Sequence, residues 1–134
     1  MERLLPTVPD TELCKEEKQE MNKIKVLKID KDCFVSKDWL QGYLKTMLLI
    51  CRAHNVAVTC VKICASQKKG QHFYIWIEPE IDSTTAVRLQ YLLGDDSQRV
   101  DCCRARIASC LDEWNKLFEV AGRRLRTIYR ASTP

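Results

Sequence analysis

The chain has 134 residues and a mass of 15.6 kDa, room for one modest domain and too little for a polymerase with separate palm, fingers and thumb. Its hydrophobic fraction of 46% and charged fraction of 30% are those of a globular chain that buries a core, not of a disordered one. The net charge of +4 arises at the C-terminal end: residues 1–98 carry 14 basic and 14 acidic side chains, whereas the remainder carries 8 and 4, the basic ones almost all Arg.

Residues 1–22 hold two prolines and the run Cys-Lys-Glu-Glu-Lys-Gln-Glu, and read as a charged leader or surface helix preceding a single domain over 23–134. From Lys23, Lys-Ile-Lys-Val-Leu-Lys-Ile-Asp-Lys-Asp is rich in β-branched residues and predicts a first strand. Ser36 is a good N-cap, and Trp39, Leu40, Tyr43, Leu44, Met47, Leu48 and Cys51 recur at helical spacing to about His54. Asn55 breaks that pattern. Residues 56–64 then predict a second strand, 67–71 a turn, and 72–78 a third strand stopped by Pro79.

A second helix is expected over Ile81–Leu93, ended by Gly94. A third, capped by Asp95 or Asp96, places Val100, Cys103, Ile107 and Leu111 on one face. Residues 115–120 and 123–130 read as two strands around a tight turn, with a terminal helix as the competitor. This order predicts an α+β fold, an antiparallel sheet with helices on one face and the other face open.

No apolar stretch approaches the roughly 18 residues of a membrane helix, and the N-terminus lacks a signal peptide's apolar region. The expected location is cytoplasmic, without membrane attachment. There the eight cysteines are expected to be reduced. No CxxC or HxxxH pair announces zinc, and Cys60, Cys64, Cys103 and Cys110 read as small buried hydrophobes.

The third strand defines what the open face carries. Phe73, Ile75 and Ile77 alternate with His72, Tyr74, Trp76 and Glu78, so the register that buries the aliphatic side chains turns His72, Tyr74 and Trp76 outward. Aromatic rings on an exposed strand with nearby cations, here Lys62 and Lys28, suit single-stranded nucleic acid, whose bases stack while the cations hold its backbone. The competing reading is that a helix or a second subunit covers this face and makes Tyr74 and Trp76 ordinary core.

A second constellation overlaps the first. Asp30 and Asp32, two apart on a strand, project to the same side, as a shared divalent cation requires. Ser66-Gln-Lys-Lys-Gly-Gln-His72 leads into the third strand, with Gly70 permitting close backbone approach and Lys68 and Lys69 supplying charge to a phosphate.

An Asp-x-Asp strand, an amphipathic helix, a strand and Ser-x-Lys-Lys-Gly-x-His opening another strand resemble the core of archaeo-eukaryotic primases over residues 24–78. That resemblance implies catalytic Mg or Mn on Asp30 and Asp32, and a nucleotide contact by His72 with Lys69 beside it. The chain departs from the family in lacking its accessory half and a clear third carboxylate, for which Glu119 is the nearest candidate. Residues 92–107, Leu-Leu-Gly-Asp-Asp-Ser-Gln-Arg-Val-Asp-Cys-Cys-Arg-Ala-Arg-Ile, with Trp-Asn-Lys-Leu-Phe-Glu behind them, look like the ThermoDBP-related proteins. These small archaeal and viral proteins bind single-stranded DNA or RNA through a sheet and a helix-flanked cleft, which would imply a place in DNA replication or repair.

The leading expectation is non-catalytic binding of single-stranded DNA or RNA without a cofactor. Tyr74 and Trp76 would stack, His72 would meet a base or phosphate, and Lys62, Lys68 and Lys69 would hold the backbone. Arg104, Arg106, Arg123, Arg124 and Arg126 would form a flanking track. Asp30 and Asp32 are unexplained on that reading. The alternative that explains them is a minimal primase-like nucleotidyltransferase, or a subunit of one, using metal on Asp30 and Asp32 with His72. A third is an adaptor whose aromatic face docks a protein, such as a second copy of the chain or a replication or repair factor.

Overall fold

A computed structural model describes residues 23–31, 36–65, 70–111, 113–115, 117 and 125–131. The elements, in chain order, are β1 (Ile24–Lys31), α1 (Lys37–Ala53), β2 (Ala57–Ala65), β3 (Gln71–Ile81), α2 (Ser83–Leu92), α3 (Ser97–Ala108) and β4 (Arg126–Arg130). All ladders are antiparallel, in the order β1-β3-β2-β4. Over the described residues the fold is α+β, with a four-stranded sheet and three helices.

Period-two alternation builds one face of the core. Leu27, Ile29, Val61, Ile63, Phe73, Ile75 and Ile77 are buried against Met47 and Cys51 of α1, Ala86, Val87 and Leu89 of α2, and Val100 and Cys103 of α3. Each fully buried aliphatic or aromatic side chain contributes about 1.5–3 kcal/mol. Tyr43 joins the layers: its ring lies 5.2 Å from that of Phe73 and stacks at 4.7 Å on Trp39, and its hydroxyl donates to the Leu93 carbonyl at 2.6 Å. Burial pushes the Tyr43 hydroxyl far above its usual range and the Cys51 thiol up to about 11.

The helix ends share one device. Ser36 Oγ accepts from the Trp39 N–H at 3.1 Å to cap α1, and Asp96 accepts from the Arg99 N–H at 3.3 Å to cap α3. At the other ends Asn55, Gly94 and Cys110 take positive φ values of 63°, 93° and 58°. In each, that residue and the next donate back into the last turn, as in Asn55 to Arg52 and Val56 to Cys51, both at 3.0 Å. This is the Schellman arrangement, which turns the chain sharply back toward the sheet. At Gly94 it sets the following Asp95 against β1.

Several expectations need correction. Pro79 does not stop β3, which runs to Ile81: the register between β1 and β3 slips between Ile24 and Val26, so Pro79 falls in a bulge where no ladder N–H is needed. Ile81 therefore ends β3 instead of opening α2. Leu111 lies beyond the end of α3 and is half exposed, because the turn at Cys110 takes it off the buried face. Of the expected terminal hairpin, Asn115 sits in a turn and β4 pairs with β2. The leader at 1–22 and most of 116–124 lie outside the described residues.

Candidate nucleic-acid interface

The register of the three ladders arranges the second sheet face into rows of cross-strand neighbours. Val26, Trp76, Cys60 and Arg130 form one row, and Lys28, Tyr74, Lys62 and Thr127 the next. Asp30, His72 and Cys64 form the third. Paired residues project to the same side of a pleated sheet. Val26, Lys28, Cys60, Lys62, Tyr74 and Trp76 are all only partly buried, in contrast to their fully buried neighbours on the helix side.

Tyr74 and Trp76 stand two residues apart on β3, with ring centroids 6.5 Å apart and planes tilted by 38°. The Lys62 ammonium lies 5.4 Å from the Trp76 ring centroid, within cation–π range. Lys28 and Lys62 flank Tyr74 from the two adjacent strands, and Arg130 lies across Cys60 from Trp76. The face thus combines two rings with cations on β1, β2 and β4. That combination can stack planar groups and hold an anionic backbone.

At one end of this face His72 behaves differently from the outward side chain expected. It does lie on the same side as Tyr74, yet it is 5% exposed, wedged in register between Asp30 and Cys64. Its Nε2 is 3.5 Å from Asp30 Oδ1, so the carboxylate that sequence reasoning left unexplained faces an imidazole. A cleft of about 260 Å³ opens here, lined by Asp30 and His72 together with Asp96, Arg99, Cys102 and Arg106. Among the described residues no group of three or more His, Cys, Asp or Glu side chains is placed to hold a metal ion.

The wall behind that cleft is a polar network against the outer edge of β1. The Lys28 N–H donates to Gln90 Oε1 at 2.9 Å, and the Asp30 N–H to Asp95 Oδ1 at 2.8 Å. Arg99 donates to the Lys28 carbonyl at 3.0 Å, to Asp95 Oδ2 at 2.5 Å, and to the carbonyl and Oδ1 of Asn115 at 3.0 and 2.7 Å. Gln90 and Asn115 exchange two amide hydrogen bonds at 3.0 and 2.7 Å. Burial pushes the Asp95 carboxyl up, and Arg99 and two backbone N–H groups pull it part of the way back. The network fixes β1 and hence the positions of Lys28 and Asp30.

The remaining expected residues do not form one track. Arg104 lines a groove between α2 and α3 and sits 6.0 Å from the Tyr91 ring, in the helix layer. Arg106 lines the Asp30–His72 cleft and donates to the Trp114 carbonyl at 3.4 Å. Arg126 lies opposite Ile63 and lines a cleft between α1 and β4. Asp32, Lys68, Lys69, Glu119, Arg123 and Arg124 lie outside the described residues. Thr127 and Arg130 also share the sheet face; their placement depends on the pairing of β4 with β2, which no local pattern encodes.

Comparison with protein-family models, with curated proteins and with solved structures gives no match to this chain. What the fold and site define is a class by geometry: an α+β protein whose antiparallel sheet has one face under helices and an aromatic, cationic second face.

Proposed function

We propose that the chain binds single-stranded DNA or RNA on the second face of its sheet, without catalysing a reaction on it. The observation that carries this reading is the Tyr74–Trp76 pair with Lys62 over Trp76 and Lys28 across from it, two stacking platforms and two cations on adjacent strands. Base stacking on an aromatic side chain contributes about 1–3 kcal/mol per base, and flanking Lys and Arg add phosphate contacts that release counterions. The binder works in the cytoplasm, in replication or repair, and requires no cofactor.

Fluorescence anisotropy with labelled single-stranded DNA, single-stranded RNA and duplex DNA tests this, at two salt concentrations and with and without Mg or Mn. Single strands are expected to bind without metal, with a log–log salt slope of about −0.7 per phosphate contacted. Trp76→Ala is expected to weaken binding roughly 5- to 150-fold, while Asp30→Ala leaves it equal or tighter. Binding that is unchanged in a Tyr74→Ala, Trp76→Ala double variant refutes the stacking face. Binding that appears only with divalent metal and nucleotide transfers the argument to a nucleotidyltransferase, and binding to no nucleic acid transfers it to a protein adaptor.

A further inference from the structure

Along β3 the open side of the sheet carries Tyr74, Trp76 and Glu78 in succession, and the charge beside them changes sign along that line. Lys28 and Lys62 flank Tyr74 from the adjacent strands. Glu78 follows the buried Ile77 in the alternation and is exposed, beside the single methyl group of its cross-strand partner Ala57. The strand pairing is secured there: Thr59, the extra residue of β2 between Val58 and Cys60, donates from Oγ1 to the Trp76 carbonyl at 3.3 Å. A pocket of about 530 Å³ is lined by Trp76 and Glu78 together with Thr59, Lys25 and Glu80. Glu80 is paired with Lys25 at 3.3 Å. Among the described residues Glu78 holds no ion pair, so its carboxylate is the acceptor left open at the pocket.

We infer that Glu78 makes this face selective for guanine: the base stacks on Trp76 and donates its N1–H and N2–H groups to the Glu78 carboxylate. The inference rests on the sheet-face reading and names the base that face prefers. Residues two apart on one side of a strand stand about 6.5 Å from each other, a span that a purine lying on the Trp76 ring covers with one hydrogen bond at its edge. Charge decides which edge that is. The phosphates of a strand are drawn to Lys28 and Lys62 and repelled by Glu78, so the sugar side of the base turns toward Tyr74 and its Watson–Crick edge toward Glu78. In a single strand that edge is free to be read. Only guanine offers a carboxylate two adjacent donors there, the bidentate geometry that makes charge-assisted hydrogen bonds strong. Adenine and cytosine place a ring-nitrogen acceptor beside their amino group, and thymine or uracil flanks its one N–H with two carbonyls, so each meets the carboxylate with repulsion.

The test measures the anisotropy of labelled oligothymidylates in which every third base is guanine, adenine, cytosine or thymine, without divalent metal. The guanine strand is expected to bind roughly 5- to 150-fold tighter than the other three. Hypoxanthine in place of guanine, which lacks the N2 amino group, should lose much of that preference, whereas 7-deazaguanine, with its Watson–Crick edge intact, should keep it. Glu78→Gln is expected to weaken binding of the guanine strand about tenfold while the thymine strand binds equally or more tightly, because a repelling charge has gone; a merely structural role would move both in the same direction. Equal binding of all four strands overturns the inference. So does a guanine preference that survives Glu78→Gln, or one that is lost with 7-deazaguanine and therefore read at the opposite edge of the base. Failure of the sheet-face reading looks different: no strand binds, or Trp76→Ala leaves every affinity unchanged.

Discussion

Replacing Arg99 with Met removes one side chain from four hydrogen bonds while keeping much of its apolar stem. Arg99 is about nine-tenths buried and its partner Asp95 wholly so. The substitution strands the Asp95 carboxylate together with the Lys28 and Asn115 carbonyls, all in contact with the guanidinium in the native fold. Breaking a buried ion pair by removing one partner costs about 3–5 kcal/mol, a large share of the roughly 5–15 kcal/mol that holds a domain together. The expected loss for Arg99→Met is therefore about 3–5 kcal/mol at pH 7, read from the urea midpoint at unchanged slope.

The loss should also become pH-dependent in a defined direction. Burial already pushes the Asp95 carboxyl up against the pull of Arg99; without Arg99 its folded pKa rises further above its unfolded value. A carboxyl with a raised folded pKa destabilises as pH climbs through that window, so the variant recovers part of its loss at pH 5 relative to pH 7. Adding Asp95→Asn to Arg99→Met should cost less than the two changes summed. Amide exchange at Lys28 and Asp30, whose N–H groups are held by Gln90 and Asp95, should accelerate in the single variant. A loss below about 1 kcal/mol with both amides still protected would show that the network does not secure β1.

Alkaline stability follows from the buried hydroxyl and thiol. Cys51 has an ordinary value of 9.0 and is pushed up to about 11, and Tyr43 is raised far above its ordinary 10.0; unfolding therefore releases protons, and the stability contributed by Cys51 is lost from about pH 9 to about pH 11 and that contributed by Tyr43 from about pH 10 upward. Urea melts at pH 8 and 10.5 measure the fall, and Tyr43→Phe should reduce it; an equal fall in that variant would exclude Tyr43. Thiol labelling under native conditions should modify exposed Cys102 well before fully buried Cys51, which reacts only through unfolding, with equal rates for these two counting against the packing described. Asn55, at a φ of 63°, should tolerate Gly without loss, whereas Asn55→Val should cost about 1–2 kcal/mol in a denaturant titration. A harmless Val there would mean that the turn does not require its left-handed backbone.

Much of this architecture is visible in local patterns. The alternation of Phe73, Ile75 and Ile77 with Tyr74 and Trp76 separates the two sheet faces because a strand's side-chain period is two. Ser36 and Gly94 mark helix ends because each meets a backbone need that few residues satisfy. The site beyond β3 is less visible. His72 alternates as an outward residue and is nevertheless buried, since its neighbours come from strands and from α3 at distant sequence positions. Gln90, Arg99 and Asn115 read as ordinary solvated side chains, because bonds from helix side chains to the edge of a distant strand leave no periodicity. One trace existed: Gln90 falls between Leu89 and Leu93 on the buried side of α2, where a polar side chain needs a partner.

The side chains along β1 also decide how this sheet can grow. Exposed strand edges are templates for pairing between molecules, and the outer Lys28 and Asp30 N–H groups and the Lys28 carbonyl are already occupied by Gln90, Asp95 and Arg99. An incoming strand would have to displace a buried guanidinium and carboxylate to add there. Domain swapping, strand-mediated self-assembly or fibre growth from this fold is thereby steered away from β1, and any continuation of the sheet into a second molecule is left to the β4 side.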